Sequence, residues 1–141
     1  MTNNLNNKIA LVTGATSGFG KSITEKFVES GARVIATGRR AERLSNLCKD
    51  LDEKNVLPLC FDVRDQKDVF NKIQKLDKEW SKIDILVNNA GLALGLDSSH
   101  EANVEDWNEM VDSNCKGLMY VTLAISKGMV DRKQGHIINL G

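Results

Sequence analysis

Three glycines that follow an early apolar run could together hold a phosphate group. Gly14, Gly18 and Gly20 lie in the segment TGATSGFG, whose first residue, Thr13, is also the last residue of the aliphatic stretch Lys8–Thr13. A glycine-rich turn that opens a helix presents unpaired backbone N–H groups and the positive end of the helix dipole, and both attract phosphate oxygens. The spacing GxxxGxG is one residue longer than the GxGxxG fingerprint of many dinucleotide sites. We therefore interpret this segment as a phosphate-binding turn.

Two other interpretations of the same turn stay open. Gly20, Lys21 and Ser22 resemble the end of a P-loop, GxxxxGK[ST], which would indicate nucleoside-triphosphate hydrolysis. That motif needs a glycine where Ala15 stands, and Gly14 comes one residue too early. The segment could also be a glycine-rich turn that binds no ligand. A dinucleotide remains the favoured ligand.

Two arginines indicate which nicotinamide dinucleotide, NAD or NADP, the site would bind. An NAD site places Asp or Glu about 20 residues after the glycines, where it accepts a hydrogen bond from the ribose 2′-hydroxyl. Here that place is Gly38, followed by Arg39 and Arg40. Guanidinium groups bind a 2′-phosphate through charge-assisted hydrogen bonds, which a carboxylate would repel. The pattern predicts NADP, with two solvated arginines at the start of a helix as the alternative.

Short runs of β-branched and aliphatic residues alternate with longer amphipathic segments. Such runs, continuous in polarity, indicate strands that are buried on both faces of a sheet. The predicted strands are Lys8–Thr13, Arg33–Thr37, Val56–Phe61, Ile83–Val87 and Gly135–Leu140.

The intervening segments carry helix signals. Asp65 can cap a helix whose inner positions Val69, Ile73, Leu76 and Trp80 follow steps of four, three and four. Further helices are predicted from the glycine turn to about Ser30, across 44–51, from Asn103 and from about Cys115.

The alternation of strand and helix predicts an α/β fold with a doubly wound parallel sheet of the Rossmann type, in strand order 3-2-1-4-5. In such sheets the ligand lies beyond the carboxyl ends of the strands. The segments at those ends are rich in Gly, Asn, Ser and Thr, so the site is expected there. They are Gly14–Gly20, Gly38–Arg40, Asp62–Val63 and Asn88–Gly91.

Composition limits the other function classes. The 141 residues, about one domain's worth, include 19 basic and 19 acidic side chains, so no overall charge attracts nucleic acid or an anionic membrane. No apolar run approaches a membrane span, and the first seven residues lack the basic start and apolar centre of a secretion signal. The three cysteines form no CxxC and are expected to be reduced, buried thiols of a cytoplasmic protein. His100 and His136 have no partners at metal-ligand spacing, so no metal is expected.

Two motifs together resemble a known family. TGxxxGxG at Thr13–Gly20, followed by Asn88-Asn89-Ala90-Gly91 after the fourth strand, is similar to the short-chain dehydrogenases/reductases. Within that family, further segments resemble the NADP-dependent 3-hydroxy acid dehydrogenases, which include serine or allo-threonine dehydrogenases and malonic semialdehyde reductases. These segments are 36–40, 83–95, 104–107 and 135–139.

The resemblance implies roles for particular residues in binding NADP. A first group would line the pyrophosphate and the adenosine ribose: Gly14, Thr16, Ser17, Gly18, Phe19 and Gly20. A second group would hold the 2′-phosphate and the adenine: Arg39 and Arg40 for the phosphate, Asp62 for the adenine amino group and Val63 for the ring. A third group, Asn89, Ala90 and Gly91, would pack beside the nicotinamide-side ribose.

The resemblance also assigns Asn114 as the catalytic asparagine, which holds a water of a proton relay at a helix kink. Without the family match, Asn114 could equally be a helix-break residue that bonds to the backbone, and Asp62 could be a helix or turn cap.

The family's remaining catalytic residues are not found in this sequence. In the family a serine follows the fifth strand and a YxxxK motif lies on the next helix. The single tyrosine, Tyr120, has alanine rather than lysine four residues later. Reduction of a carbonyl by hydride needs a proton donor, so the 141 residues alone are expected to be inactive.

Two interpretations of the missing donor stay open. One is that residues 1–141 are a dinucleotide-binding domain incomplete at its C-terminus, the first part of an enzyme that moves hydride between NADP(H) and a small 3-hydroxy or 3-oxo acid and forms a homodimer or homotetramer. The other is a naturally truncated, non-catalytic NADP-binding module that acts as a sensor or scaffold.

Overall fold

A five-stranded parallel sheet forms the centre of the molecule, with strand order β3-β2-β1-β4-β5. The structure, a computed structural model, describes residues 4–95 and 97–141. The predicted fold class and strand order are confirmed. The strands are β1 (Ile9–Val12), β2 (Arg33–Gly38), β3 (Val56–Cys60), β4 (Ile85–Asn88) and β5 (His136–Asn139).

Helices cover both faces of the sheet. Within the described residues they are α1 (Gly18–Glu29), α2 (Ala41–Leu51), α3 (Gln66–Gln74), α4 (Val104–Val111), a π-helical segment (Asp112–Lys116) and α5 (Gly117–Arg132). In this part of the chain no helix has both the length and the apolar character needed to cross a bilayer.

Alternating side chains of the strands build a separate core on each face. Leu11 and Val12 are neighbours in β1 and both fully buried, yet they belong to different clusters. Leu11 packs in the cluster that contains Val69 of α3 and Ile125 of α5. Val12 packs in the cluster that contains Leu44 of α2. Because successive strand residues point to opposite faces, a strand buried on both sides needs this unbroken apolar run.

Helix α3 is shorter than the sequence predicts. It ends at Gln74, so Leu76 and Trp80 lie beyond the helix to which their spacing assigned them. Trp80 is nevertheless buried, because the chain turns there (its N–H donates to the Asp77 carbonyl, 2.8 Å) and its ring lies under Arg33, 3.9 Å from the guanidinium carbon to the ring centroid. The apolar spacing identified buried residues correctly but could not distinguish helix from turn.

The region predicted as two helices from Asn103 and Cys115 is helical without interruption. Asn103 caps it as predicted, since its side-chain oxygen accepts the N–H of Glu105 (2.9 Å). The π segment Asp112–Lys116 joins α4 to α5, and the backbone stays right-handed helical across both junctions. The expected break at Asn114 is therefore a local widening of one helix.

The cysteines only partly match the expectation of buried thiols. Cys48 is buried and Cys60 half-buried, but Cys115 is exposed. Cys115 lies in the π segment on the outer side of the helix, where Val111 and Met119 are also exposed. The prediction that Cys115 is a packed thiol is wrong.

Strand β3 forms one edge of the sheet, and its residues alternate between facing β2 and facing outward. The N–H of Val34 donates to the carbonyl of Asn55 (2.7 Å), and the N–H of Phe61 donates to the carbonyl of Gly38 (3.1 Å). Since backbone groups of successive strand residues point to opposite sides, positions 57 and 59 also face β2. Positions 56, 58 and 60 therefore face outward.

At each of these outward positions, one backbone N–H or carbonyl group is not available for a hydrogen bond to another strand. The N–H of Val56 donates to the carbonyl of Asp52 (2.9 Å). Pro58 has no N–H. The carbonyl of Cys60 accepts a hydrogen bond from the ammonium of Lys72, on α3. The outward hydrogen-bonding row of β3 is therefore interrupted at each of these three positions.

Candidate functional site

The glycine turn between β1 and α1 is too tightly folded to accept side chains at two of its positions. A Cβ on Gly20 would lie 2.0 Å from the Gly14 carbonyl oxygen and 2.4 Å from the side-chain nitrogen of Asn89. Gly14 itself has a φ of 62°, a left-handed conformation that favours glycine. Gly18, with a φ of 53°, faces open space, since nothing lies within 4 Å of a Cβ built there. The first turn of α1 is thus open on one side and packed against β1 on the other.

Thr13 and Asn89 hold this turn from behind. The Thr13 hydroxyl accepts the N–H groups of Asn89 (3.0 Å) and Ala90 (2.9 Å). In return, the Asn89 side-chain nitrogen donates to the carbonyls of Thr13 and Gly14, both at 3.1 Å. These bonds join the ends of β1 and β4 at the middle of the sheet. Sequence reasoning missed Thr13, although it is the T of the TGxxxGxG motif.

A cleft opens at the carboxyl ends of the strands, where the sequence predicts the site. It brings together most of the predicted cofactor residues: Gly14, Thr16, Ser17, Arg39, Arg40, Asp62, Val63, Ala90 and Gly91. It is also lined by Gly38, which lies in a segment where the site was expected, and by residues that were not predicted: Thr37, Arg43, Phe61, Leu92 and Ser113. The other predicted residues, Gly18, Phe19, Gly20 and Asn89, are not among the residues that line the cleft, and Phe19 is 81% exposed.

One corner of the cleft is strongly positive. Arg39, Arg40 and Arg43 all line it and are all exposed. Within residues 4–95 and 97–141 no ion pair uses any of them. Helix α2 begins in the same corner at Ala41, and its N-cap Arg40 gives no side-chain bond to the free N–H groups. Guanidinium groups without ion pairs and a helix N-terminus without a side-chain cap are features that suit the binding of an anion.

Arg43 also lies in this corner, and although the sequence analysis did not name it, its position in the sequence could have indicated it. It lies three residues after Arg40, in the first turn of α2, and residues three apart share a helix face. The same corner contains the Thr37 hydroxyl, which is buried (the residue is 1% exposed) and finds no hydrogen-bond partner among the described residues. A buried hydroxyl without a partner is costly, and here it belongs to a residue that lines the cleft.

The wall next to this corner carries Asp62, because β3 pairs with β2 up to Gly38 and Cys60, and Arg64 holds the Asp62 carboxylate. The Arg64 side chain bonds to both carboxylate oxygens, and the closest contact is 2.8 Å. These hydrogen bonds are the largest cause that lowers the pKa of Asp62 below its ordinary value, and the charge of Arg39 is the smallest contribution in the same direction. Asp62 is therefore ionised at neutral pH and can accept hydrogen bonds from a ligand. It also accepts the backbone N–H of Arg64 at 3.0 Å, so it is a turn cap as well.

Val63 fixes the same wall to the start of α5. A Cβ on Gly117 would lie 2.6 Å from a Val63 methyl group, so only glycine allows this approach. The contact places the π segment beside the cleft, where Ser113 is buried and lines the wall.

Asn114 sits at the rim and fastens the loop that follows β4. Its side-chain oxygen accepts the N–H of Leu92 and its side-chain nitrogen donates to the Leu92 carbonyl, each at 2.8 Å. Gly91 lies directly beside it, since a Cβ there would be 2.9 Å from the Asn114 oxygen. The helix-break interpretation, in which Asn114 bonds to backbone, thus describes its contacts in this structure.

Tyr120 lies away from the cleft. It is half-buried and packs against the core formed with α3 and α5.

Comparison with known proteins identifies the family. Residues 8–141 match the short chain dehydrogenase family. The chain belongs to this family. The resemblance stated from TGxxxGxG and NNAG is thereby confirmed.

Two members of the family show which kinds of dehydrogenase and reductase this chain is similar to. The chain is 56% identical over 133 residues to the NADP-dependent 3-hydroxy acid dehydrogenase YdfG of Salmonella typhi, and the match covers 94% of this chain and 53% of that protein. It is 42% identical to sulfoacetaldehyde reductase 2 of Chromohalobacter salexigens, over 94% of this chain and 54% of that protein. The chain thus spans about half the length of these relatives.

Solved structures of the family share the fold closely. The closed form of serine dehydrogenase complexed with NADP+ superposes with a TM-score of 0.92 at 53% identity, over 94% of this chain and 53% of that chain. The crystal structure of serine dehydrogenase from Escherichia coli gives a TM-score of 0.91 at the same identity, over 94% of this chain and 61% of that chain. The strand order of this short-chain dehydrogenase chain is therefore that of its relatives.

Proposed function

We propose that residues 1–141 form a dinucleotide-binding domain, incomplete at its C-terminus, that binds NADP(H) in the cleft at the carboxyl ends of the strands. The observation that carries this proposal is the meeting of the glycine turn with the free arginines in one cleft. A dinucleotide with an extra phosphate needs both, one for the pyrophosphate and one for the 2′-phosphate.

The cleft fits the adenosine end of NADP. The open face of the turn at Gly18 leaves room for the pyrophosphate, with Thr16 and Ser17 beside it. Arg39, Arg40 and Arg43 supply donors for the 2′-phosphate, and the unpartnered Thr37 hydroxyl lies in the same corner. The cleft has no carboxylate at the end of β2 that would repel this phosphate.

The part of the cleft that follows β3 fits the adenine. Asp62 is an ionised acceptor suited to the exocyclic amino group, and Val63 offers an apolar surface to the ring. Phe19, exposed on the first turn of α1, can cover the dinucleotide from the solvent side.

The nicotinamide end is assigned to the segment after β4. Ala90 and Gly91 line the cleft, and Asn89 fixes the turn behind them. When bound, the nicotinamide supplies or accepts the hydride of an oxidoreductase. Asn114 is proposed to hold the loop at Leu92 and, through its remaining lone pair, to position a proton-relay water.

The substrate class follows from the relatives. Their names refer to a 3-hydroxy acid, serine and sulfoacetaldehyde, which are small molecules with an acidic group. We infer that the whole protein moves hydride between NADP(H) and a small 3-hydroxy or 3-oxo acid. The residues that line the cleft include no tyrosine, histidine or lysine that could protonate the product, so residues 1–141 alone are expected to bind the dinucleotide without turnover.

A non-catalytic NADP-binding module is the second candidate, and the same lack of a proton donor in the cleft favours it. The intact mass of the protein in its native source separates the two. A mass well above that of 141 residues supports the oxidoreductase, whereas a mass equal to it supports the module.

We also propose that the whole protein is a homodimer or homotetramer that pairs through α5. Met119, Leu123 and Val130 are exposed and lie on one face of that helix, because their spacing of four and seven returns to the same side. An exposed apolar stripe of this length is typical of a subunit contact.

Dinucleotide titration tests the proposed function. Titration of the 141-residue chain with NADP and with NAD should show preference for NADP. Replacing Arg43 with Ala should weaken NADP by about tenfold and NAD by less than about twofold, because only NADP carries the phosphate that the guanidinium binds. Lys49→Ala removes a positive charge from the far end of the same helix and should change neither affinity.

Either of two results would contradict the proposal. One is equal affinity of the unaltered chain for NADP and NAD, and the other is equal loss of NADP affinity in the Arg43 and Lys49 variants.

A further inference from the structure

Arg64 surrounds the Asp62 carboxylate on the side away from the cleft. Its backbone N–H donates to one oxygen at 3.0 Å, and Nε lies 3.1 Å from both oxygens. Nη2 donates to the second oxygen at 2.8 Å. Asp62 lines the cleft and Arg64 does not. The guanidinium therefore fixes the plane of the carboxylate from behind and leaves its other side to the cleft.

The free end of the same guanidinium bonds to α4. Nη1 donates to Glu109 at 2.9 Å, so one arginine joins the segment after β3 to the helix that leads into Ser113 and Asn114. A lysine could not make this arrangement, because it carries a single ammonium group instead of a planar fork. Arg64 is thus held at both ends and can hold Asp62 in one rotamer.

Release of Asp62 would have a definite consequence. The charge of Arg39 already acts on this carboxylate, and Arg39 lines the same cleft without an ion pair among the described residues. A carboxylate freed from Arg64 would turn toward that charge. It would then leave the adenine position and neutralise a guanidinium that the 2′-phosphate needs.

We propose that Arg64 is a positioning residue that aims the Asp62 carboxylate at the base of the bound dinucleotide and thereby makes the cleft selective for adenine. This inference rests on the proposed binding of NADP(H). Adenine presents an amino group that donates to the carboxylate, whereas hypoxanthine presents a carbonyl at the same ring position, which the carboxylate repels.

The test compares NADPH with its hypoxanthine analogue, deamino-NADPH, by titration of the 141-residue chain. The unaltered chain should prefer the adenine compound by about tenfold, the effect of one hydrogen bond to a charged group. Arg64→Gln should reduce the ratio of the two dissociation constants to about twofold or less, since the carboxylate is no longer aimed. Arg64→Lys should restore little of the ratio, because one ammonium cannot fix both oxygens.

Two further variants serve as controls. Glu109→Gln weakens only the outer bond of Arg64 and should give an intermediate ratio. Arg33→Gln removes an arginine of similar side-chain exposure (29%, against 31% for Arg64) that bonds to Glu79 at a distance from the cleft. It should leave the ratio unchanged. Because each ratio is measured on one variant, a loss of folded protein affects both ligands equally, and Arg64→Lys decides the matter if the glutamine variant does not fold.

The outcomes separate this inference from the proposed function. An adenine preference that persists in both Arg64 variants overturns the inference and leaves NADP binding intact. An unaltered chain that binds both compounds equally also overturns it, because Asp62 then does not distinguish the bases. An unaltered chain that binds neither compound overturns the proposed function, and the inference falls with it.

Discussion

Gly20 shows how a single hydrogen atom in place of a side chain permits the whole turn. The Gly14 carbonyl and the Asn89 side chain occupy the space that a Cβ would need. The neighbours are backbone and a side chain already held by two hydrogen bonds, so they cannot move aside. The third glycine of the motif is therefore a packing requirement as much as a ligand site.

Replacing Gly20 with Ala should lower the free energy of unfolding by about 3 kcal/mol, because the methyl group overlaps backbone atoms. Chemical denaturation measures this directly. Gly128→Ala is the matched control, since its Cβ meets only the end of the Arg132 side chain. That variant should lie within about 0.5 kcal/mol of the unaltered chain, as alanine also suits a helix interior. Equal destabilisation by both substitutions would refute the packing argument.

The Asp62–Arg64 pair predicts a pH dependence of stability. Hydrogen bonds from Arg64 hold the pKa of Asp62 below its ordinary value of 3.8. A lowered pKa in the folded state means that the stabilisation is fully present above that ordinary value and is lost as pH falls through the folded-state value. Since the pair is partly exposed, Asp62→Asn should cost about 1 kcal/mol at neutral pH.

Denaturation at a series of pH values checks the sign. The difference between the Asp62→Asn variant and the unaltered chain should shrink as pH falls below 3.8. Asp131→Asn, which breaks an exposed pair with Lys127 on α5, should cost less at every pH. A difference for Asp62 that grows in acid would contradict the assigned cause.

At the scale of elements, the π segment explains why one helix can serve both the core and the cleft. Between Asp112 and Lys116 the helix widens by one residue, so the face that packs inward shifts relative to α4. Asn114 then reaches the loop after β4, while Val121, Ile125 and Met129 of α5 are buried against the sheet. The widening lets two different faces meet their partners.

Replacing Asn114 with Ala should free the loop after β4 without unfolding the helix. The variant loses both bonds to Leu92, so amide hydrogen exchange at Leu92 should accelerate by about tenfold. Asn108→Ala on the exposed side of α4 removes an amide of the same kind and should leave the exchange at Leu92 unchanged. If Leu92 exchanges at the same rate in both variants, Asn114 does not hold the loop.

The sequence predicted strands correctly where an unbroken apolar run marks them, and helix starts correctly where a capping side chain precedes them. The five strands and the caps Asp65 and Asn103 were predicted correctly, because an unbroken β-branched run and a side-chain oxygen before a helix each have one physical reason. The expectation that every strand is buried on both faces is wrong for the edge strands β3 and β5, whose residues are mostly half-buried or exposed. The end of α3 was not predictable, since Trp80 is buried in a turn as fully as it would be in a helix. The continuity of α4 and α5 was missed because a π segment leaves no periodic signal.

The candidate site was predicted to the extent that its residues follow strand ends. Arg39, Arg40 and Asp62 come directly after strands and do line the cleft. Arg43 was missed although its position three residues after Arg40 could have indicated it, whereas Arg64 was missed because its role depends on its contacts with Asp62 and Glu109 in space. The roles of the site residues remain predictions until binding is measured.

At the scale of the whole molecule, the two cores bury the sheet on both faces, while α5 keeps an apolar stripe exposed. Leu123→Glu should lower the self-association constant of the whole protein by about tenfold or more, because two buried charges would meet across a symmetric contact. Sedimentation experiments measure this constant. Lys49→Glu changes the charge by a similar amount at an exposed residue of α2, which packs on the other face of the sheet from α5, and it should have a weaker effect. Unchanged association of the Leu123 variant would show that the subunits pair elsewhere.

The outward hydrogen-bonding groups of β3 are partly engaged, and this distinguishes the β3 edge of the sheet from an open edge. An incoming strand finds the Val56 N–H already used, no N–H at Pro58 and the Cys60 carbonyl covered by Lys72. A strand that extends the sheet would therefore find fewer open hydrogen-bonding groups beside β3 than an uncovered edge strand offers. The same asymmetry disfavours fibril growth, because sheets that join edge to edge use the hydrogen-bonding groups of both edges and β3 has some of its outward groups already engaged.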